Sequence, residues 1–308
     1  MIPSNTARGA VMSPICDNIC DGMGYKRGEH KGDAAIMLSN LYTNTTNTWL
    51  FYTAVGANAI GMALVEEMTG QSISWTGWLK ATCIPAGIIV LLIPLITNFL
   101  FGTRKGEKRS IDIEFAKKKL EEMGPLTVKE KKAAIYFALT LLAFCTNGIH
   151  HVAPDYVVFV TIFLMLCPGI GVCSFKDVGP NFAWPAFIQL GFAMSLASCV
   201  NKTGGFQWLV DAMFTTNPAF SAMDPTLFIT IWLAFVVVSH IIFAGMNAME
   251  AVLVPVSMTM AAALGFDVYT MGLLTVMAIA PSANFLPFNS APNLIYASTD
   301  RFSTAQQL

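Results

Sequence analysis

Charged residues are scarce in this sequence. Asp, Glu, Lys and Arg make up 12% of its 308 residues, whereas hydrophobic residues make up 55%. Soluble domains carry about 25% charged residues, so a chain of this composition cannot present a surface that keeps it in water. The composition also excludes a disordered chain, a collagen and a coiled coil. We therefore expect a multi-pass protein of the cell membrane, with the lipid bilayer as its main partner.

Motifs for metal binding, catalysis and nucleic-acid binding are also missing. The 7 cysteines form no Cys-x-x-Cys pair and the 4 histidines form no metal-binding motif. No basic patch suits a nucleic acid, and no nucleophile stands beside a base. We expect no metal centre, no cofactor, no nucleic-acid partner and no enzymatic activity, with Na⁺ as the one coupling ion left open. The opening MIPSNTARGA lacks the features of a signal peptide.

Long apolar stretches predict the membrane spans. We place them at 34–69, 75–101, 133–149, 154–170, 181–200, 226–244, 248–264 and 270–298, after a shorter apolar helix at 7–20. The hydrophilic stretch 102–132 holds 10 of the 18 Lys and Arg residues and contains a surface helix, IDIEFAKKKLEEM. Its basic excess predicts a cytoplasmic loop. The connection 201–225 is predicted to be a polar loop on the outside.

Two of these stretches cannot be straight helices. Residues 34–69 would form a helix of roughly 54 Å, whereas the hydrocarbon core is only ~30 Å thick. Polar residues and glycine within 43–59 predict a break, and the segment PSANFLPFNSAPN (281–293) predicts a second one. Two interrupted helices at corresponding positions point to a transport site.

The corresponding positions show an internal repeat. SNTARGAVMSPI (4–15) aligns with GMNAMEAVLVPV (245–256), and GANAI (56–60) aligns with APNLI (291–295). Five predicted crossings separate the copies, so the second copy is inverted. We interpret 226–244 and 248–264 as a re-entrant hairpin with its tip at 245–247, the alternative being two complete spans. By symmetry, Ser4-Asn5-Thr6 is the tip of a hairpin whose first arm is absent.

A helix that begins at such a tip presents unpaired N–H groups and its positive dipole end to the membrane centre. Together with the Ser, Asn and Thr side chains, such a helix start can bind a carboxylate or a sulfate. The hydroxyl and carbonyl oxygens exposed at the tip can coordinate Na⁺. The alternative is that SNT only caps the helix. Arg8 at this depth needs a partner, either the anion or Glu250, unless it lies solvated at the interface. Glu250 is interpreted as an ion-pair partner, with a proton carrier as the alternative.

Several segments resemble one family. The segments are PSNTARG (3–9), FYTAVGANAIGMAL (51–64), EEMGPLTVKEKKA (121–133), GVCSFKDV (171–178) and APNLIYAS (291–298). In this order they resemble the divalent anion:sodium symporter family, and within it the branch of citrate, tartrate and 2-oxoglutarate/malate translocators. The resemblance covers essentially the whole chain.

The resemblance implies an all-α, elevator-type carrier with inverted repeats, re-entrant hairpins and broken helices, usually a homodimer. The transport domain would comprise 1–70 and 226–308. Between these two parts lie a span with the basic loop (71–132) and the scaffold spans with the outer loop (133–225). The expected substrate-binding residues are Ser4, Asn5, Thr6, Arg8, Asn58, Asn247, Pro292 and Asn293. The expected cation-binding residues are Ser4, Asn5 and Gly56.

The second tip departs from the family pattern. It reads Gly245-Met246-Asn247 where the family has a Ser-Asn-Thr type of sequence, which weakens a second sodium site. We therefore expect transport of a dicarboxylate or tricarboxylate anion, with exchange favoured over sodium symport. The alternatives are a symporter of sulfate or another inorganic anion, and a transporter fragment without activity. Against the pattern the chain is shortened at both ends, so we expect it to be part of a larger parent protein and not to transport alone.

Overall fold

The described part of the chain is helical. The structure is a computed structural model that describes residues 4–28, 31–102, 113–150, 152, 154–181, 184–216, 220, 223–243, 245–284 and 290–308. These residues contain no β-strand, which confirms the predicted all-α class. The first helices are α1 (Asn5–Gly22), α2 (Gly32–Leu50), α3 (Gly56–Thr69), α4 (Trp75–Phe101), α5 (Ile113–Met123), α6 (Val128–Cys145), α7 (Asn147–His150) and α8 (Pro154–Leu166). The later ones are α9 (Phe175–Val178), α10 (Trp184–Lys202), α11 (Gly205–Thr216), α12 (Pro225–Ser239), α13 (Met246–Leu264), α14 (Val268–Ser282), α15 (Ala291–Ala297) and α16 (Thr304–Gln307).

Both predicted helix breaks are present. The stretch 34–69 divides into α2 and α3, which are joined by a 3-10 turn at Tyr52–Ala54. The stretch 270–298 divides into α14 and α15, although residues 285–289 of the predicted break lie outside the described residues. The surface helix predicted in the basic loop is α5, whereas 103–112 of that loop also lie outside the described part.

Two predictions about the second half were wrong in detail. The connection 201–225, expected to be a polar loop, contains α11, whose Phe206 and Val210 are buried against the core. The predicted first arm of the second hairpin, 226–244, corresponds to α12, which ends at Ser239, so the turn begins at His240 and Gly245 is the residue before α13. The turn is therefore longer than three residues, and Met246 and Asn247 already belong to the helix.

Local side-chain chemistry sets the helix ends. Ser74 accepts the N–H of Gly77 at 3.0 Å and begins α4. Thr127 and Glu130 form a reciprocal capping box at the start of α6. The hydrogen bonds from Thr127 to the Glu130 carboxylate lower the pKa of Glu130. Gly265 ends α13 with φ of 75°, a left-handed conformation that glycine adopts without steric cost.

The helices surround two apolar clusters. α13 lies at the centre of the larger cluster and packs against α3, α10, α11 and α14. The smaller cluster joins α1, α2 and α15 around Leu38 and Tyr296. Among the described residues, α4 and α13 are long and apolar enough to cross a membrane, but 67% of the apolar window is buried in α13 and 11% in α4. α4 therefore leaves most of its apolar surface exposed, with Leu91 73% and Phe99 87% exposed.

A buried arginine ties the end of the chain to the first helix. The Arg301 side chain is fully buried, and its Nε donates to Asp17 Oδ1 at 2.7 Å. It also pairs with Asp21 and donates to the backbone carbonyl of Tyr25 at 2.9 Å. Arg27, whose side chain is 56% exposed, bonds the other oxygen of Asp17 at 2.6 Å. One buried and one exposed cation thus share one carboxylate.

This pair of arginines provides a matched stability test. We expect Arg301→Gln to lower the free energy of unfolding by about 3 kcal/mol, because it removes the buried cation and leaves two carboxylates side by side. Arg27→Gln should cost about 0–1 kcal/mol, as exposed ion pairs do. Thermal unfolding of the purified chain in detergent measures both. Equal losses for the two variants would contradict the assigned role of Arg301.

Candidate functional site

The first tip is a capped helix start. Ser4 has extended backbone angles and its hydroxyl accepts the N–H of Ala7 at 3.2 Å. Asn5 and Thr6 form the first turn of α1, and the Asn5 carbonyl accepts a hydrogen bond from Asn44 Nδ2 at 3.0 Å. The alternative interpretation of SNT as a helix cap is therefore correct for Ser4. The cap also turns the first N–H groups of α1 toward the space beyond the tip.

A buried histidine connects the turn before the second tip to the end of α14. His240 is fully buried at the end of α12, and its Nδ1 lies 2.6 Å from the hydroxyl of Ser282 at the end of α14. This contact fixes the turn of the hairpin against the second helix break. Gly245 then leads into α13, whose first turn contains Met246 and Asn247.

The two tips and the two breaks meet around one cavity. Its volume is about 200 Å³, and its walls carry polar side chains and helix starts from all four segments. The lining residues are Ser4, Asn5, Thr6, Val55, Gly245, Met246, Asn247, Ser290, Ala291 and Pro292. Of the residues predicted to bind the substrate, five line this cavity, namely Ser4, Asn5, Thr6, Asn247 and Pro292.

Asn58 lies behind the cavity and holds the first break together. It is 1% exposed, and its Nδ2 donates to the carbonyl of Thr48 at 2.8 Å and to that of Tyr52 at 3.3 Å. Trp78 Nε1 donates to the carbonyl of Trp49 at 2.8 Å. The end of a helix leaves carbonyls without partners, and here side chains from α3 and α4 supply the donors. Asn58 is thus a structural anchor of the break and lies away from the cavity lining.

Asn293 performs the same task at the second break. Its Nδ2 donates to the carbonyl of Ala283 at 2.9 Å, across the same separation of 10 residues that divides Asn58 from Thr48. Thr45 in α2 donates to Asn284 Oδ1 at 2.8 Å and joins this break to the first broken helix. The predicted alignment of Asn58 with Asn293 therefore corresponds to one shared hydrogen-bonding role.

Arg8 is enclosed by oxygen atoms. Its guanidinium donates to the Ala54 carbonyl at 2.6 Å, to Asn44 Oδ1 at 2.8 Å, and to the Asn44 carbonyl and Asn5 Oδ1 at 3.1 Å each. The side chain thereby links the first tip, α2 and the first break. Arg8 lies outside the residues that line the cavity, and its charge acts on the cavity through Asn5.

The predicted ion pair between Arg8 and Glu250 is wrong. Glu250 is 1% exposed and faces α3, where its Oε2 accepts the N–H of Gly61 at 3.0 Å. The absence of a side chain at Gly61 makes room for it, since a Cβ there would lie 2.9 Å from Oε2 and 2.5 Å from Val276. Arg8 is committed instead to the oxygens around the first break.

Sequence reasoning missed the residues that support the site. Asn44, Trp78, His240 and Ser282 form hydrogen bonds at the tips and the breaks, but none belongs to a motif. Trp78 and His240 stand in apolar stretches, whereas Asn44 and Ser282 lie in the polar segments that predicted the breaks. The signal that could have found them is a polar or amphipathic side chain inside a membrane span, which is costly unless it has a partner. Gly56, predicted to bind a cation, begins α3 and lies outside the cavity lining.

The geometry suits a small anion. Two helices of at least 18 residues begin at the cavity, so their unpaired N–H groups and their positive dipole ends converge on it. A volume of about 200 Å³ lies below the ~300–1,000 Å³ of drug-sized pockets, which leaves room for a compound of a few carbon atoms. Broken helices that meet at a polar cavity are typical of the binding sites of multi-pass secondary transporters.

Comparisons with known proteins identify the family. The family described as "Sodium:sulfate symporter transmembrane region" matches residues 1–307. The chain therefore belongs to this family, the divalent anion:sodium symporters, and is a multi-pass protein of the cell membrane.

Its relatives are distant and longer. A membrane protein of Cupriavidus necator is 25% identical over 99% of this chain and 60% of its own length. The citrate/succinate antiporter of Escherichia coli is 24% identical over 95% of this chain and 60% of its own length. The chloroplastic dicarboxylate transporter 1 of Spinacia oleracea is 28% identical over 67% of this chain and 37% of its own length. The chain thus spans about 60% of the length of relatives that it matches throughout.

The anchor role of Asn58 can be tested. We expect Asn58→Ala to lower the free energy of unfolding by about 1–3 kcal/mol, because buried carbonyls at the end of α2 lose their donor. The matched control is Asn201→Ala near the end of α10, which should change stability by no more than about 0.5 kcal/mol. Chemical or thermal unfolding in detergent measures both, and an unchanged stability of Asn58→Ala would refute the anchor.

Proposed function

We propose that this chain forms the anion-binding part of a secondary transporter for dicarboxylate or tricarboxylate anions. The observation that carries the proposal is the cavity at which Ser4, Asn5, Thr6 and Asn247 meet two helix starts. Carboxylates bind well to helix N-termini and to hydroxyl and amide donors, without a buried lysine. The relatives whose names specify a substrate, a citrate/succinate antiporter and dicarboxylate transporters, support an organic anion.

A two-ended site explains the preference for a dicarboxylate. The starts of α1 and α13 line different parts of the cavity wall. Each helix start can therefore bind one carboxylate of the same molecule. The second tip offers Asn247 as its polar side chain, while the first offers three. Sulfate is the second candidate, because the matched family carries that name and a single compact dianion fits the same donors.

Sodium coupling at the first tip is disfavoured by Arg8. The proposed cation site needs oxygen ligands from Ser4, Asn5 and the turn before Gly56. The Asn5 side-chain oxygen accepts Arg8, the Ala54 carbonyl in that turn accepts Arg8, and the Ser4 hydroxyl accepts a backbone N–H. The guanidinium thus occupies the place of a cation. We therefore propose anion exchange in preference to sodium symport.

The movement and the assembly follow from the family pattern as proposals. In an elevator mechanism the parts 1–70 and 226–308 would move against 71–225, with α4 packed along α2 at the division between them. A homodimer is proposed on the same basis. Because the chain covers only part of its relatives, these proposals concern the whole transporter to which it belongs.

Anion binding to the purified chain tests the proposal. Succinate, malate, citrate, tartrate and sulfate should each be assayed for stabilisation against thermal unfolding and for binding by calorimetry. We expect Thr6→Ala and Asn247→Ala to weaken binding of the preferred anion by about 10–100-fold, since each removes a hydrogen bond to a charged group. Thr215→Ala on the exposed side of α11 is the matched control and should bind normally.

The same assay separates the coupling modes. Replacement of Na⁺ by choline should change the affinity less than about twofold, because Arg8 supplies the positive charge. Binding that requires Na⁺ would refute exchange and favour symport. Failure of all five anions to bind would refute the proposed site.

A further inference from the structure

Glu250 is a buried carboxyl group that forms no ion pair with any described residue. It is 1% exposed, its Oε2 accepts the N–H of Gly61, and its Oε1 has no hydrogen-bond partner among the described residues. A carboxylate in such surroundings is unfavourable unless it is paired, so the neutral acid is the stable form.

In the part of the chain that the structure describes, no cationic group lies beside Glu250 to neutralise it. Gly61 of α3 lies against its carboxylate, and Val276 of α14 lies beside Gly61. The helices packed against α13 carry other titratable and charged side chains, but none of these forms a hydrogen bond or an ion pair with Glu250. They are Glu66 and Glu67 on α3, Tyr269 on α14, Cys199 and Lys202 on α10, and Asp211 on α11. Arg8 is held by Asn5, Asn44 and Ala54.

Glu250 also lies close to the proposed anion. It is four residues after Met246, which lines the cavity, so one helical turn of roughly 6 Å separates the two along α13. An ionised Glu250 would repel a dianion bound at the start of the same helix, and the low dielectric constant of the interior would strengthen this repulsion. Proton binding at Glu250 removes the repulsion.

We propose that Glu250 is a proton-binding site coupled to the anion site, so that this transporter carries a proton together with its anion. The inference rests on the proposed anion-binding function and names its coupling ion. The step is a simple protonation: Oε1 takes a proton from water before the anion binds, keeps it while the anion is bound, and can return it to water only after the anion has left. By linkage, the anion raises the proton affinity of Glu250 to the same extent that the proton raises the affinity for the anion.

Infrared spectroscopy tests the protonation without any anion. The chain at neutral pH should show the carbonyl stretch of a protonated carboxylic acid, and Glu250→Gln should lack this band. Glu67→Gln, which replaces an exposed glutamate bonded to Ser198, is the matched control and should keep the band. A wild-type spectrum without the band at neutral pH would overturn the proposal.

Anion binding as a function of pH tests the coupling. The pH series should start where the anion itself is fully ionised. Above the pH at which Glu250 titrates, the wild-type affinity should fall by about tenfold per pH unit, as linkage to one proton requires. Glu250→Gln should show no such fall, and Glu67→Gln should follow the wild type.

The outcomes distinguish the two proposals. If Glu250→Gln binds the anion with the pH dependence of the wild type, the coupling is wrong while the anion site stands. If no variant and no wild-type sample binds any anion, the proposed function fails, and the coupling with it. Since glutamine keeps the shape of the side chain and can still accept the N–H of Gly61, the variant should fold, and its thermal unfolding verifies this.

Discussion

The need to hydrogen-bond every backbone group in the membrane governs this molecule. The breaks between α2 and α3 and between α14 and α15 leave carbonyls without helical partners, and a chain within a membrane must satisfy such groups with its own donors. Asn58, Trp78 and Asn293 donate to those carbonyls from neighbouring helices. With these donors in place the chain can turn inside the lipid and leave helix starts facing a common space. The cavity therefore depends on the hydrogen bonds that satisfy the backbone carbonyls at the two breaks.

The two pairs of segments that align in the sequence pack in a similar way, with the large and the small residue exchanged. In the alignment of 4–15 with 245–256, Gly9 corresponds to Glu250. Gly9 contacts the large side chain of Tyr296, whereas Glu250 contacts Gly61, which corresponds to Tyr296 when the alignment of 56–60 with 291–295 is continued by one residue. Each hairpin helix thus meets the distal half of the other repeat's broken helix. A bulky side chain faces glycine in both contacts, and the exchange places a carboxyl group in only one repeat.

Much of the architecture could be predicted from the sequence. Hydropathy identified α4 within the exact bounds found, and the excess length of 34–69 together with Gly56 predicted the first break. The meeting of Ser4-Asn5-Thr6 with 245–247 followed from the repeat. Hydropathy did not predict α11, which lies in a stretch expected to be a polar loop. Only a few residues of α11 form its buried face, so the mean hydropathy of the stretch stays low. The partners of Arg8 could not be predicted either. A guanidinium can donate to any backbone carbonyl within reach, and every residue carries one, so the sequence does not identify the partners.

The contact between Arg301 and α1 has a consequence for biosynthesis. Asp21 and Arg301 are 280 residues apart. A ribosome that adds ~5–20 residues per second needs roughly 15–60 s to make the intervening chain. During that time Asp17 can pair with Arg27, which lies only 10 residues further along the chain. The ion pairs with Arg301 form only after that residue has been made, so this part of the packing is completed late in synthesis.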